Sequence, residues 1–593
     1  MIRLEITDNA TGEVLVPHLS ASLSFEMVRE NPLFDLRGDY TYDIDISLRD
    51  PHNRAIYRHI ERLTSASRPQ NRRARLLADG HLVADGTEVI LKKDGETLKV
   101  QLLAGNSEMN YLTAPDNLRV REMDFGSIET PTAEVASENA YKVYPEVNYT
   151  FPPIFRNSTD DAFDNAVFGN LYGSVVVYES SENLWPQPFV LYYVRKFVEL
   201  LGYQLTYSSL EQDARWRSLI LVSGYKTLEY AKMLPDWKAS EFLIQIERFF
   251  NCRFIVTGKD VQIVKASTYR QTTQKIEIQD SAILDEFLRD YEDHTEDFFA
   301  PTKNMSYELP GGAYWAYMHL QDDVRKRCTN LSMPLSEAKR SEDPDWHIFR
   351  STVSGLTFIR SRSAEGDDTR HFRSIDHFAP HVENPGIGQT TLKIIPCEIR
   401  AEETAFQQKY MDHEMPMYES GLCLCPMPQF YETKENNDFG AAVEDGISDQ
   451  AGSVMQVAFY LGPQRLRLSS EDEVGRKGSI CWIPQCMTVP KIIIDGYIEV
   501  AASECRITDG KAYTLELNGP DGLFERDYKE TSRLALDQQH TIRFQSPELL
   551  DPTRLFLIHG CLFVCQQLKY TYQDGRQHPI VEGVFYPYYN TRA

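Results

Sequence analysis

The residues of this 593-residue sequence that invite chemistry are histidines and cysteines set close together. In "RHFRSIDHFAPHV", His371, His377 and His381 stand near Asp376, donor types that suit a divalent metal. Their intervals of six and four residues do not bring three imidazoles onto one short helical face, and Pro380 interrupts any helix between the last two. The flanks read as loop, so unliganded surface histidines are expected. Three cysteine pairs, Cys423 and Cys425 in "GLCLCPMP", Cys481 and Cys486 in "ICWIPQCM", and Cys561 and Cys565 in "HGCLFVCQQ", lack the doubled Cys-x-x-C or Cys/His spacing of a zinc site. If "CLFVC" is a strand, Cys561 and Cys565 share a face, and His559-Gly560 ahead of them reads as a strand turn rather than half of a Cys/His dyad.

Other chemistries leave equally little. No glycine-rich loop precedes a Lys and Ser/Thr in the phosphate-binding pattern, and neither G-x-S-x-G nor H-E-x-x-H is present. Gly311-Gly312 in "GGAYWAYMHL" is a weak phosphate-cradle signal. The 87 acidic residues guarantee Asp/Glu pairs suited to glycoside hydrolysis, but none stands out. The six Trp are scattered, and core packing explains them as well as a glycan surface does. The sequence therefore predicts no catalytic, cofactor-binding or metal site, and a protein that is not an enzyme.

The elements that would position any site belong to a multidomain, mainly β chain. Its length predicts roughly three to five domains, and its composition, 42% apolar and 11% aromatic, is that of a folded protein. A formal charge of -25 opposes general binding to nucleic-acid phosphates or an anionic membrane surface. No apolar run approaches the ~20 residues that span a bilayer, and "MIRLEITDNATGEVL" lacks signal-peptide grammar. Folding in the cytoplasm and reduced, buried cysteines are expected.

Residues 1–110 read as a small antiparallel barrel or sandwich. In "YTYDIDISL", Tyr40, Tyr42, Ile44, Ile46 and Leu48 alternate with polar residues. Asp79-Gly80, Asp85-Gly86 and Asp94-Gly95 then punctuate a meander. Residues 111–184 read as an irregular connecting segment. Residues 185–270 read as an α+β helix-hairpin module. Its first helix carries Phe189, Val190, Val194, Phe197, Val198 and Leu201 and stops at Gly202. Its second is capped by Asp236 or Ser240, carries Phe242, Leu243, Ile246, Phe249 and Phe250, and leads into a hairpin through Thr257-Gly258-Lys259-Asp260.

Residues 271–390 read as a β-rich domain with a short acidic helix in "ILDEFLRDYEDHTEDFF" and exposed loops, including 360–374. Residues 391–593 read as a C-terminal β domain with another exposed loop at 432–452 and Asp574-Gly575 and Glu582-Gly583 between strands.

Three segments together resemble the baseplate hub proteins of phage tails and contractile injection systems, in the version carried by prophages of Bacteroidetes-type bacteria. They are "RENPLFDLRGDYTYDIDISLRDPHNRAIYRHIERL", "LPDWKASEFLIQIERFFNCRFIVTGKDVQIVKA" and "RLFLIHGCLFVCQQLKYTYQDGRQHPIVEGVFYPY", about a fifth of the chain. The resemblance implies small β-barrels in a ring, a homotrimer that links the tail tube to the central spike, and neighbouring distal-tail and baseplate proteins. It implies a virion tail protein assembled in the host cytoplasm, without a cofactor and without membrane insertion before infection. DNA or an effector would pass through the lumen without specific binding. The alternatives are a receptor- or glycan-binding tail-tip protein and a tail-associated cell-wall hydrolase, for which residues 280–480 leave room.

Overall fold

The computed structural model describes residues 2–588 apart from 21, 33–38, 42, 63–70, 116, 156–162, 169–175, 267–274, 285–287, 291–303, 309–331, 334–347, 352–356, 361–371, 375–380, 383–388, 411–412, 429–453, 466–481, 490, 495–497, 502–512, 530–537 and 575. As the sequence predicts, the chain is multidomain and mainly β, with an α+β insert. The expected loops at 360–374 and 432–452 fall largely or wholly outside the described residues, although Phe372–Ser374 is a strand.

The strands Arg72–Ala78, His81–Asp94 and Thr97–Ala104 pair in chain order as a meander, with Ile2–Thr7 beside the first and Ile44–Ser47 beside the last. Ile44 and Ile46 are buried along the strand Ile44–Ser47 while Asp45 and Ser47 face solvent. Asp79 and Gly80, with φ of 53° and 84°, make the two-residue link between Arg72–Ala78 and His81–Asp94, as a tight hairpin with two positive φ values requires. Asp85-Gly86 is not a turn. It lies inside His81–Asp94, and a Cβ on Gly86 would stand 1.9 Å from the Leu103 carbonyl oxygen. This glycine permits close approach of the neighbouring strand backbone. Gly583 is likewise within a strand, Arg576–Pro587, where a Cβ would meet the Phe585 ring at 2.4 Å.

Strand pairing unites the two ends of the chain. Phe25–Glu30 runs antiparallel to Cys561–Gln573, with Phe25 opposite Tyr572 and Glu30 opposite Gln567. The Phe25 and Tyr572 rings stack at 4.8 Å. Leu4, Ile6, Ile44, Ile46, Leu76, Leu98 and Val100 share one core with Phe544, Phe556, Ile558, Tyr570 and Phe585. Burial of so many large apolar side chains stabilises by roughly 1.5–3 kcal/mol each before entropy is counted. Among the described residues the sheet path ends at Val14–Leu15 on one side and Leu288–Asp290 on the other, so it is an open sheet rather than a closed barrel. Leu288–Asp290 corrects the expected acidic helix, because these residues pair with Gln539–Gln545 as a strand. Backbone pairing at this sheet edge overrides local helix propensity.

The module follows the sequence closely. The helix Val190–Leu200 buries Val190, Leu191, Tyr193, Val194, Phe197 and Val198. It ends in a Schellman arrangement, in which Gly202 N–H donates to the Glu199 carbonyl and Tyr203 N–H to that of Val198. Gly202 has φ +83°, which suits glycine at that position. The second helix, Ala239–Phe250, begins after Lys238, so neither Asp236 nor Ser240 is the N-cap. Its first-turn amides include Phe242 N–H, donating to the Lys238 carbonyl. The hairpin Cys252–Thr257 and Asp260–Lys265 is joined in parallel by Gln204–Ser208. The module's core runs on into Ile394, Phe459, Tyr513 and Phe524, residues that arrive from far along the chain.

Candidate functional site

The sequence candidates do not converge. Histidines 371 and 377 lie outside the described residues, as do Cys481 and the glycine pair 311–312. His381 places Nδ1 2.9 Å from Asn518 Oδ1 and stacks at 3.7 Å on Phe524. Cys423, Cys425 and Cys486 are buried thiols in no disulfide, and burial pushes Cys486 well above the ordinary thiol range. Cys561 is exposed and Cys565 buried on one strand. His559 and Gly560, both at positive φ, form the turn before them, and His559 Nδ1 is 2.8 Å from Asp280. Among the described residues no group of three His, Cys, Asp or Glu has an arrangement that would hold a metal.

What the fold does assemble is a set of buried charged junctions. The first locks the N-terminal sheet internally. Arg72 and Glu88, opposite one another on adjacent strands, are each 2% exposed. Arg72 Nη2 lies 2.7 Å from Glu88 Oε2, and Nη1 donates to the Ile56 carbonyl at 3.0 Å. Tyr57 donates its hydroxyl to Glu88 Oε1 at 2.6 Å, and Arg72 lies over the Tyr57 ring. Burial, reinforced by Glu88, pushes the Tyr57 phenol well above its usual range, so it remains a donor.

The second junction joins that sheet to the module through the helix Asn106–Thr113. Glu108, 2% exposed, accepts from Thr87 Oγ1 at 2.7 Å and from Arg73 Nη1 at 3.3 Å. Lys259, from the tip of the module's hairpin, comes within 3.6 Å of the same carboxylate. Asn106 donates to the Phe254 carbonyl at 2.5 Å and accepts from Val256 N–H at 3.1 Å, pairing with the outer edge of Cys252–Thr257 as another strand would. Such pairing satisfies groups that an open edge would expose. Gly105, at φ +57°, allows the approach, since a Cβ there would lie 3.1 Å from the Val256 carbonyl oxygen.

The third junction clamps the far segment Tyr513–Lys529 to the module. Its π-helical turn, Phe524–Tyr528, presents Asp527, 2.8 Å from Arg526 Nε and 3.2 Å from Lys265 Nζ. Asn251 donates to the Asp527 carbonyl at 2.5 Å. Burial works against the charged form of Asp527, yet Arg526 and Lys265 hold its carboxyl below the usual range. Trp216, fully buried, lies under Arg526 at 4.9 Å and against Phe250 at 4.9 Å. Asp213 is 2.6 Å from Arg215 Nη2 and 3.7 Å from Lys265. Burial opposes its ionisation too, but Arg215 and Lys265 bring it down to about 2.

These groups are engaged with one another, and the arrangement they make holds segments in place. Sequence reasoning missed them because buried pairs of a cationic side chain and a carboxylate, separated by 16 residues in Arg72–Glu88 and 262 in Lys265–Asp527, have no spacing signature. The nearest visible sign was Gly105 between a strand and "NSEMNYLT".

The fold and its junctions define a multidomain, mainly β protein whose buried polar groups serve to join its parts. No family model matches the sequence, and no curated protein matches it. Among solved structures it aligns with the 43 kDa tail protein of prophage MuSo2 from Shewanella oneidensis, at 6% identity and a TM-score of 0.31, over 98% of this chain and 95% of that one. It also aligns with the tail protein from Neisseria meningitidis MC58, at 7% identity and a TM-score of 0.29, over 99% and 96%. At these scores neither alignment carries a residue or a role across.

Proposed function

We propose that this chain is a structural component of a phage tail or tail-like injection system, a baseplate hub that links the tail tube to the central spike. The observation that carries the reading is the meeting of the three sequence segments that resemble hub proteins. Arg29 and Glu30 of the first pair with Leu568 and Gln567 of the third. Asn31 donates from its side-chain amide to the carbonyls of Pro552 and Cys565. The middle segment is fastened to the same sheet through Asn106 and Glu108. Segments separated by hundreds of residues thus build one body, as a ring subunit with a fixed docking module requires.

In this reading the chain is a homotrimer in the virion tail, assembled in the host cytoplasm against tube, spike and distal-tail proteins. DNA or an effector passes through the lumen without specific binding, past an acidic lining that offers its phosphates few cationic contacts. The charge of -25 supports that last part, because each phosphate contact strengthens binding through counterion release. The test is the mass of the purified chain by multi-angle scattering, alone and with its tube and spike partners, with negative-stain images of each peak. A threefold mass and a hollow ring, alone or on the spike, are expected. A chain that stays monomeric with every partner, while releasing muropeptides from peptidoglycan or binding glycans, would overturn the reading.

A further inference from the structure

The third junction contains one carboxylate that the clamp does not use. Glu247, on the last full turn of Ala239–Phe250, is 1% exposed. Its Oε1 accepts from Phe254 N–H at 3.0 Å, while Oε2 is buried without a hydrogen-bond partner. A buried carboxylate with one donor is poorly solvated when charged, and protonation removes that charge at the smaller cost of a buried neutral group. The charged groups around it come from every side of the corner. Its own helix supplies Arg248, and Glu241 farther back, where Lys393 engages it at 3.0 Å. Cys252–Thr257 supplies the Cys252 thiol and Arg253, which is 4% exposed and donates to the Cys252 carbonyl at 2.6 Å. Asp260–Lys265 supplies Lys265, and the π-helical turn supplies Arg526, Asp527 and Tyr528.

Arg253 is the shared element, since its charge acts on both Glu247 and Tyr528. We propose that the corner between Ala239–Phe250 and Cys252–Thr257 is a proton-operated latch on the segment Tyr513–Lys529, closed when Glu247 is neutral and loosened when it ionises. On ionisation, Oε2 requires a donor. The corner meets that demand by admitting water or by drawing Arg253 toward Glu247, and either change disturbs the surface beneath Tyr528. The segment so released is the one that Lys265 and Asn251 fasten through Asp527, so the latch controls how firmly that segment is held on the module.

Burial pushes Glu247 up to about 7, against the pull of Arg253 and the Phe254 N–H. A carboxyl raised in the closed state stabilises that state fully at pH values below its ordinary range, and this contribution is lost as pH rises through the raised value. From about pH 6 to about pH 8, the opening equilibrium should therefore grow by about tenfold.

Hydrogen exchange of the full-length protein, followed by mass spectrometry and corrected for intrinsic rates, tests this. Amides of residues 513–529 and 247–256 should show the tenfold rise, while those of 25–30 and 567–572 should not. E247Q should remove the rise and give, at both pH values, more protection than the unmodified protein has at the lower one. Equal opening at both pH values, or a rise that persists in E247Q, would overturn the proposal. An infrared titration of the unmodified protein is independent of how the variant folds. A buried protonated-carboxyl band that fades over the same interval supports the latch, and its absence at the lower pH contradicts it.

Discussion

Glu88 and Glu247 are buried almost equally, at 2% and 1% exposure, yet their surroundings differ. Glu88 has Tyr57 on one oxygen and Arg72 on the other, so both oxygens are engaged. Glu247 accepts from one backbone donor, Phe254 N–H, while the nearby Arg253 donates to the Cys252 carbonyl. Burial alone does not decide what a carboxylate does. A fully partnered one fixes two strands in register, whereas a half-partnered one makes local structure respond to protons. The N-terminal sheet is accordingly built to stay closed, and the module's inner corner is built to respond.

Arg72→Met converts the first environment into something harsher than the second, because it leaves Glu88 buried beside Tyr57 without a cation. A loss of about 3–5 kcal/mol in denaturant unfolding is expected. Adding Glu88→Leu should recover much of it, since a matched apolar pair costs less than a lone buried charge. If the double variant is no more stable than the single one, the Arg72–Glu88 pairing is not what holds these strands.

The second change runs the other way. E247Q should stabilise the protein by up to about 3 kcal/mol at alkaline pH and by almost nothing in acid, because a raised carboxyl costs stability only where it must ionise. Denaturant midpoints measured across the pH range check the sign, and a uniform loss at all pH values would show that Glu247 is charged and paired.

Asn106 provides a neutral reference between the two. Asn106→Ala deletes both side-chain hydrogen bonds to Cys252–Thr257, leaving the Phe254 carbonyl and the Val256 amide unpaired. It should cost about 1–3 kcal/mol at every pH and raise exchange at Val256. The smallest effect concerns backbone alone. Gly202→Ala forces a Cβ into φ +83° and should cost about 1 kcal/mol, without altering the charged junctions.

What the sequence revealed and what it concealed divide along the same physical line. The module's helices, the Gly202 cap and the Thr257–Asp260 turn are set by neighbours within a few residues, so their pattern shows in one dimension. The alternation of Ile44, Ile46 and Leu48 is equally local. Asp85-Gly86 misled because a glycine after an acidic residue serves a turn or a close approach of the opposing strand, and Glu582-Gly583 because a glycine within a strand also makes room for a ring on that strand, Phe585. Leu288–Asp290 reads as helix by local propensity, but it is a strand because Gln539–Gln545 lies beside it. The junctions were hidden most completely. Lys265 and Asp527 lie 262 positions apart, and nothing near either residue announces the other.

The central structural claim is that the first and last stretches of the chain form one cooperative body to which the module is fastened. Native-state hydrogen exchange in rising denaturant tests it most directly, through the paired strands Phe25–Glu30 and Cys561–Gln573. Residues 25–30 and 567–572 should open together, with the same free energy and the same denaturant dependence. Strand 567–572 exchanging freely while 25–30 remains protected would contradict it.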